Sequence, residues 1–115
     1  MNTDRINTNT YLMVVESLKQ INANRTFANI GTPERADLDT TASLLTDLSW
    51  RIVNKDIGQM SKEISDSVSE LRQLSKKISE SYESLKQLSA DIDKAAVAVD
   101  TLVNITTMAI AAGIL

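Results

Sequence analysis

From Ile57 onward the chain places a large aliphatic residue at every seventh position: Ile57, Ile64, Leu71, Ile78, Leu85, Ile92 and Val99, with Thr106 next in the series. Lettered as heptads with Ile57 at a, the d sites read Met60, Ser67, Leu74, Ser81, Leu88, Ala95, Leu102 and Ala109. A sustained period of seven with apolar a and d sites predicts a helix packed along one seam. Where d is small, the next residue, at e, carries the bulk: Val68 after Ser67, Tyr82 after Ser81 and Ile110 after Ala109, with Ala96 a weak version. The alternation shows as a phrase repeated every 14 residues, IGQMSKEISDS from 57, LRQLSKKISES from 71 and LKQLSADIDKA from 85. A parallel two-stranded zipper pairs opposite charges across e and g. Here Glu63, Glu70, Lys77 and Asp91 at g meet mostly Ser, Val and Tyr at e. An a/d/e face instead suits a bundle in which each helix touches more than one neighbour.

Upstream, the pattern predicts two shorter helices. Residues 1–9 are polar and rich in Asn and Thr, and read as a flexible arm. Tyr11, Val14, Val15, Leu18 and Ile21 form a broad stripe on a helix over about residues 10–23, with Thr8 or Asn9 as its cap. Residues 22–32 read as a connector that Phe27 pins to the bundle. In TPERAD, Thr32 is placed to cap a helix whose first residue is Pro33, where the missing amide loses nothing. Glu34 complements the exposed amides of that first turn. This second helix runs into the fifties on Leu38, Leu45 and Ile52, with Thr41 and Leu48 between, and closes a region spanning 10–56. Its register does not continue into that of Ile57, so a turn around 54–58 is expected at Gly58, with a continuous helix and a stutter as the competing arrangement. A further turn near 89–91 would give a compact four-helix form, but no Gly or Pro supports it. Residues 57–112 therefore read as one long helix.

Such a helix is roughly 84 Å long at about 1.5 Å per residue, against about 33 Å for the second helix and roughly 21 Å for the first. Those two cannot mask the whole seam. The expected fold is all-α, with short N-terminal helices packed on a long heptad-patterned C-terminal helix, as a hairpin or bundle completed by oligomerisation. The expected contact residues are Trp50, Ile57, Met60, Ile64, Val68, Leu71, Leu74, Ile78, Tyr82, Leu85, Leu88, Ile92, Val99, Leu102, Val103 and Ile110. Trp50 reads first as a plug where helix ends meet, and alternatively as an exposed anchor of the kind that dominates binding interfaces. Tyr82 fills an e layer beside Ser81 with its phenol still reaching water.

From residue 95 the polar face disappears, and AAVAVDTLVNITTMAIAAGIL holds a single charge, Asp100. A stretch this bare is the centre of an assembly, a membrane segment, or a hydrophobic end covered by a partner. About 20 apolar residues are needed to span a bilayer. Asp100 opposes insertion by roughly 2.5–3.5 kcal/mol near mid-membrane, and no Lys, Arg, Trp or Tyr follows it as an anchor. Burial in protein is the favoured reading.

Composition narrows the chemistry. The formal charge of −3 and the scattering of basic residues argue against nucleic acid as a partner. Without Cys there is no disulfide and no thiol site, and without His the usual neutral-pH proton carrier is missing. Glu63, Asp66 and Glu70 share one helical edge but have no loop donors around them, so they read as a solvated face rather than a cation site. Ser61–Lys62 and Ser75–Lys76 point in different directions on a helix. No catalytic residue, cofactor or metal is expected. The apolar run Tyr11–Val15 ends at Glu16 and is too short for a signal-peptide core; the expected location is the cytoplasm, or outside it by a route that reads no such peptide. The sequence thus points to a non-enzymatic helical self-assembly and interaction module, such as a scaffold, bundle or filament subunit. The alternatives are a small adaptor or secretion-associated protein whose C-terminal helix binds another protein, and a membrane-inserting pore or lysis protein using residues 95–115.

Overall fold

The computed structural model describes residues 3–54 and 57–113. Four α-helices account for most of them: α1 (Thr3–Arg25), α2 (Pro33–Val53), α3 (Ser61–Ser81) and α4 (Lys86–Ala111), with a single 3-10 turn (Glu83–Leu85) before α4. No strand occurs among the described residues. Each helix packs against two neighbours, α1 on α2 and α4, and α3 on α2 and α4. This is an antiparallel four-helix bundle measuring 49 × 20 × 20 Å.

The heptad face forms the core, as its period requires. Ile64, Leu71, Ile78, Ile92, Val99 and Leu102 are fully buried from α3 and α4, against Leu38, Leu45 and Leu48 from α2 and Val14 and Ile21 from α1. In α2 the Thr32 Oγ1 accepts the Arg35 amide at 3.2 Å and Pro33 opens the helix, as the sequence predicts. Asn54 closes it by donating its amide to the Trp50 carbonyl at 2.9 Å. The turn expected around 54–58 falls between α2 and α3, with residues 55 and 56 outside the described residues. A Cβ on Gly58 would meet the tip of the exposed Ile110 side chain, so α4 passes close by without demanding glycine there.

Two expectations are corrected. The arm expected over residues 1–9 is helical from Thr3; residues 1 and 2 lie outside the described residues. Ile6 packs on the core, and Thr10, Val14, Ser17 and Ile21 carry the same inward face up α1. Thr10 and Ser17 are small and polar, so the stripe is not visible as hydrophobicity. Ser17 is satisfied by donating its hydroxyl to the Asp91 carbonyl of α4 at 3.1 Å.

The long helix over residues 57–112 does not form in one piece. α3 ends at Ser81, Tyr82 is extended (φ −129°, ψ 93°), and the chain reverses through Glu83–Leu85 into α4. Straightening this turn would regain about four backbone hydrogen bonds, each worth about 1 kcal/mol net. Folding back buries Leu85, Leu88, Ile92, Val99 and Leu102 within one chain, at roughly 1.5–3 kcal/mol for each large side chain. For a single chain, burial wins. The length mismatch that called for other subunits disappears with it, because Ile78 and Leu102 are already buried by the chain's own helices.

The α3–α4 contact explains the repeated phrase. Ser75 and Ser89 hold the same place in consecutive repeats, seven residues on either side of Tyr82. Each donates its hydroxyl to the other's carbonyl, at 2.8 and 2.7 Å, and the two Oγ atoms are 3.1 Å apart. Small residues here let the two helices approach closely, and the reciprocal bonds give the hairpin a local two-fold character.

Candidate functional site

At the bundle end carrying the α1–α2 loop and the α3–α4 turn, two polar clusters fix the chain. Asp37 is buried in the first turns of α2. It accepts from Lys77 Nζ of α3 at 3.0 Å and from the Tyr82 hydroxyl at 2.9 Å, so one carboxylate holds both the end of α3 and the reversal that follows. The Tyr82 phenol is pushed above its ordinary value, by desolvation first, then by the hydrogen bond to Asp37 and the charges of Asp37 and Glu34. A phenol raised in the folded state contributes its stability in full below the unfolded value of about 10, and loses it as pH climbs through the folded value. The denaturation midpoint is therefore expected to fall above about pH 10. The measurement is a set of urea titrations at rising pH, and an equal fall in Tyr82→Phe would show that another group is responsible.

The second cluster holds the loop. Arg35 donates Nη1 to the carbonyls of Arg25 (2.9 Å) and Ala28 (3.2 Å), while its Nε reaches Asp39 at 2.9 Å. Arg25 Nε meets the same Asp39 oxygen at 2.7 Å. These partners, the Arg35 hydrogen bond foremost, hold the Asp39 carboxyl below its usual value. Thr32 adds a hydroxyl bond to the Asn29 carbonyl at 2.7 Å. The loop is thus fixed through its backbone, and its two large apolar side chains point out: Phe27 is 88% exposed and Ile30 87% exposed. The expectation that Phe27 pins the connector is overturned. Arg35 performs that task through carbonyl oxygens and leaves Phe27 in water.

The predicted contact residues fall into three groups. Ile57, Ile64, Val68, Leu71, Ile78, Leu85, Leu88, Ile92, Val99, Leu102 and Val103 are buried among the chain's own helices. Met60, Leu74 and Tyr82 are half-buried, with Met60 and Tyr82 packed on the core. Trp50 and Ile110 remain exposed. Trp50, at 62% exposure, does not plug the helix ends; it stands outside the core near the end of α2, with Val53 also exposed.

A shallow groove of about 430 Å³ between α1 and α4 is lined by Leu12, Met13, Glu16, Gln20, Asp91 and Lys94, among others, with charges of both signs. Glu63, Asp66 and Glu70 are exposed on α3, and no group of three metal-ligating side chains converges among the described residues. Sequence reasoning missed Asp37, Arg35 and the outward loop. The partners of Asp37 lie 40 and 45 residues away, beyond the reach of local pattern. Ser75 and Ser89 did leave a signal, in their symmetric spacing about Tyr82. The chain matches no known family model, no curated protein and no solved structure.

Proposed function

We infer that the chain is a non-enzymatic helical module that acts by self-association through the bundle end bearing Phe27 and Ile30. The observation that carries this reading is the outward placement of both side chains on a loop whose backbone is clamped. Isolated exposed apolar residues are ordinary. Two large ones three positions apart on a fixed loop form a preorganised contact, which loses little conformational freedom on binding. An aromatic residue at the centre of such a contact is the usual source of its affinity. The non-enzymatic part of the reading rests on the sequence, which carries no His or Cys for neutral-pH proton transfer or thiol chemistry.

The test is the solution mass by light scattering over a range of concentrations. The wild-type chain is expected to dimerise, and Phe27→Ser/Ile30→Ser to stay monomeric with unchanged helicity. A wild-type chain that is monomeric at every concentration, after refolding as well as after purification, overturns the reading. A second reading rests on Glu83–Ala111, long and apolar enough to cross a membrane by length and composition, although a soluble core helix passes the same test. In that reading α4 serves lipid or a foreign helix through its exposed Val97, Met108 and Ile110. Insertion would have to expose Ile92, Val99 and Leu102. In the same samples the chain is therefore expected to stay in the supernatant when lipid vesicles are pelleted.

A further inference from the structure

We propose that the self-associated form is a domain-swapped dimer, in which residues 81–85 straighten, α3 and α4 become one helix, and α4 docks into the bundle of a second copy. This rests on the self-association reading and specifies how the two copies join.

Four observations lead there. The heptad register runs unbroken through the turn, from Leu71 and Ile78 to Leu85 and Ile92. A reversal alone places no demand on the phase of the next helix, whereas a continuous helix requires this one. The turn itself, Ser81-Tyr82-Glu83-Ser84-Leu85, contains neither Gly nor Pro. Tyr82 is its extended residue; Glu83–Leu85 are already in a 3-10 turn and Lys86 is helical (φ −59°, ψ −40°). Changes of backbone angle at Tyr82 and, by less, at Leu85 (φ −107°, ψ 13°) therefore convert the hairpin into a single helix from Ser61 to Ala111, roughly 76 Å long at about 1.5 Å per residue.

The third observation is the symmetry of the α3–α4 contact. Two straightened chains laid antiparallel, crossing at Tyr82, bring Ser75 of each against Ser89 of the other in the geometry now seen within one chain. The Arg72–Asp93 ion pair, 3.4 Å in the single chain, is remade in the same way. α4 then meets the second copy's α1, and the Ser17–Asp91 bond re-forms between copies. Since swapping re-creates the interactions it breaks, the balance falls to the hinge and to whatever new surface is buried. The fourth observation supplies that surface. Phe27 and Ile30 stand at the same end as the hinge, so two bundles joined there cover side chains that a lone bundle leaves in water. The Tyr82–Asp37 hydrogen bond is the latch that holds the closed form.

The chain has no cysteine of its own, which makes a direct experiment available. Ser75→Cys/Ser89→Cys is refolded at high concentration, the dimer is isolated by size exclusion, and it is then oxidised and run on a denaturing, non-reducing gel. A swapped dimer yields covalent dimers, because each disulfide joins two copies. A dimer held only by surface contact yields disulfide-closed single chains, which overturns the swap and leaves self-association standing. The absence of any dimer before oxidation overturns both. Should the paired substitution fail to fold, Glu83→Pro in the otherwise native chain decides: loss of dimer with helicity retained supports the swap, and dimer of undiminished stability overturns it.

Discussion

Glu83→Pro is expected to fold as the monomer with near-native stability and to weaken the dimer by about four orders of magnitude. In the closed form Glu83 opens the 3-10 turn, and the first residue of a helical segment has no acceptor for its amide within that segment. A proline requires the residue before it to be extended, and Tyr82 is already close to that range at φ −129°, ψ 93°. The substitution also removes the exposed Lys86–Glu83 ion pair, 3.1 Å long, and such pairs are worth about 0–1 kcal/mol. In the straightened helix the same proline sits in the interior, where it removes a backbone bond and collides with the preceding turn at about 3 kcal/mol. A swapped dimer contains two such helices, so the penalty is about 6 kcal/mol, and each 1.4 kcal/mol is about a tenfold change in dissociation constant. Sedimentation equilibrium of the two proteins reads the difference directly. An unchanged dissociation constant would mean that the copies join without opening the hinge.

How this chain chooses between hairpin and rod also explains what its sequence makes legible. The heptad stripe identifies the buried a sites from Ile64 to Val99 while leaving Leu74 at d only half-buried, because a period of seven specifies which side of a helix is apolar whether the helix is straight or folded back. It does not specify where the helix stops. No Gly or Pro marks Tyr82, and local propensity is satisfied by either form. The reversal is decided by burial against α1 and α2, a tertiary term with no local signature. The expected rod is therefore wrong in length while its seam is right in composition.

The start of α1 is hidden for a different reason. Its inward face uses Thr10 and Ser17, and the Ser17 hydroxyl finds its acceptor only once α4 is packed beside it, so the amino-terminal stretch resembles a polar arm. The candidate site is harder still to read from sequence. Phe27 is the chain's lone phenylalanine, and a single aromatic in a connector is most simply assigned to the core. Its outward placement depends on Arg35 reaching back to the Arg25 and Ala28 carbonyls, a side-chain-to-backbone arrangement that no spacing rule announces. Where the fold depends on contacts between distant segments, as at Asp37, Lys77 and Tyr82, the pattern of residue types along the chain is silent.

Leu71→Ala tests the core on which both forms depend, and is expected to lower stability by about 2–5 kcal/mol, the range for truncating a fully buried leucine. Against a total of about 5–15 kcal/mol for a domain, that is a large fraction, and the melting temperature should drop by well over about 5 °C. The concentration dependence carries the sharper information. Leu71 is buried by helices of its own chain, so the destabilisation should be equally large in dilute solution, where no second copy is bound. A melting temperature that rises with protein concentration follows from any dimer by mass action; were the seam completed only by another subunit, the variant's deficit would vanish on dilution. Leu74→Ala, at a half-buried position on the same helix, should produce a clearly smaller loss. Thermal unfolding of the three proteins at widely separated concentrations distinguishes the cases, and a Leu71→Ala chain that melts with the wild type would mean that the heptad face is not the interior of this bundle.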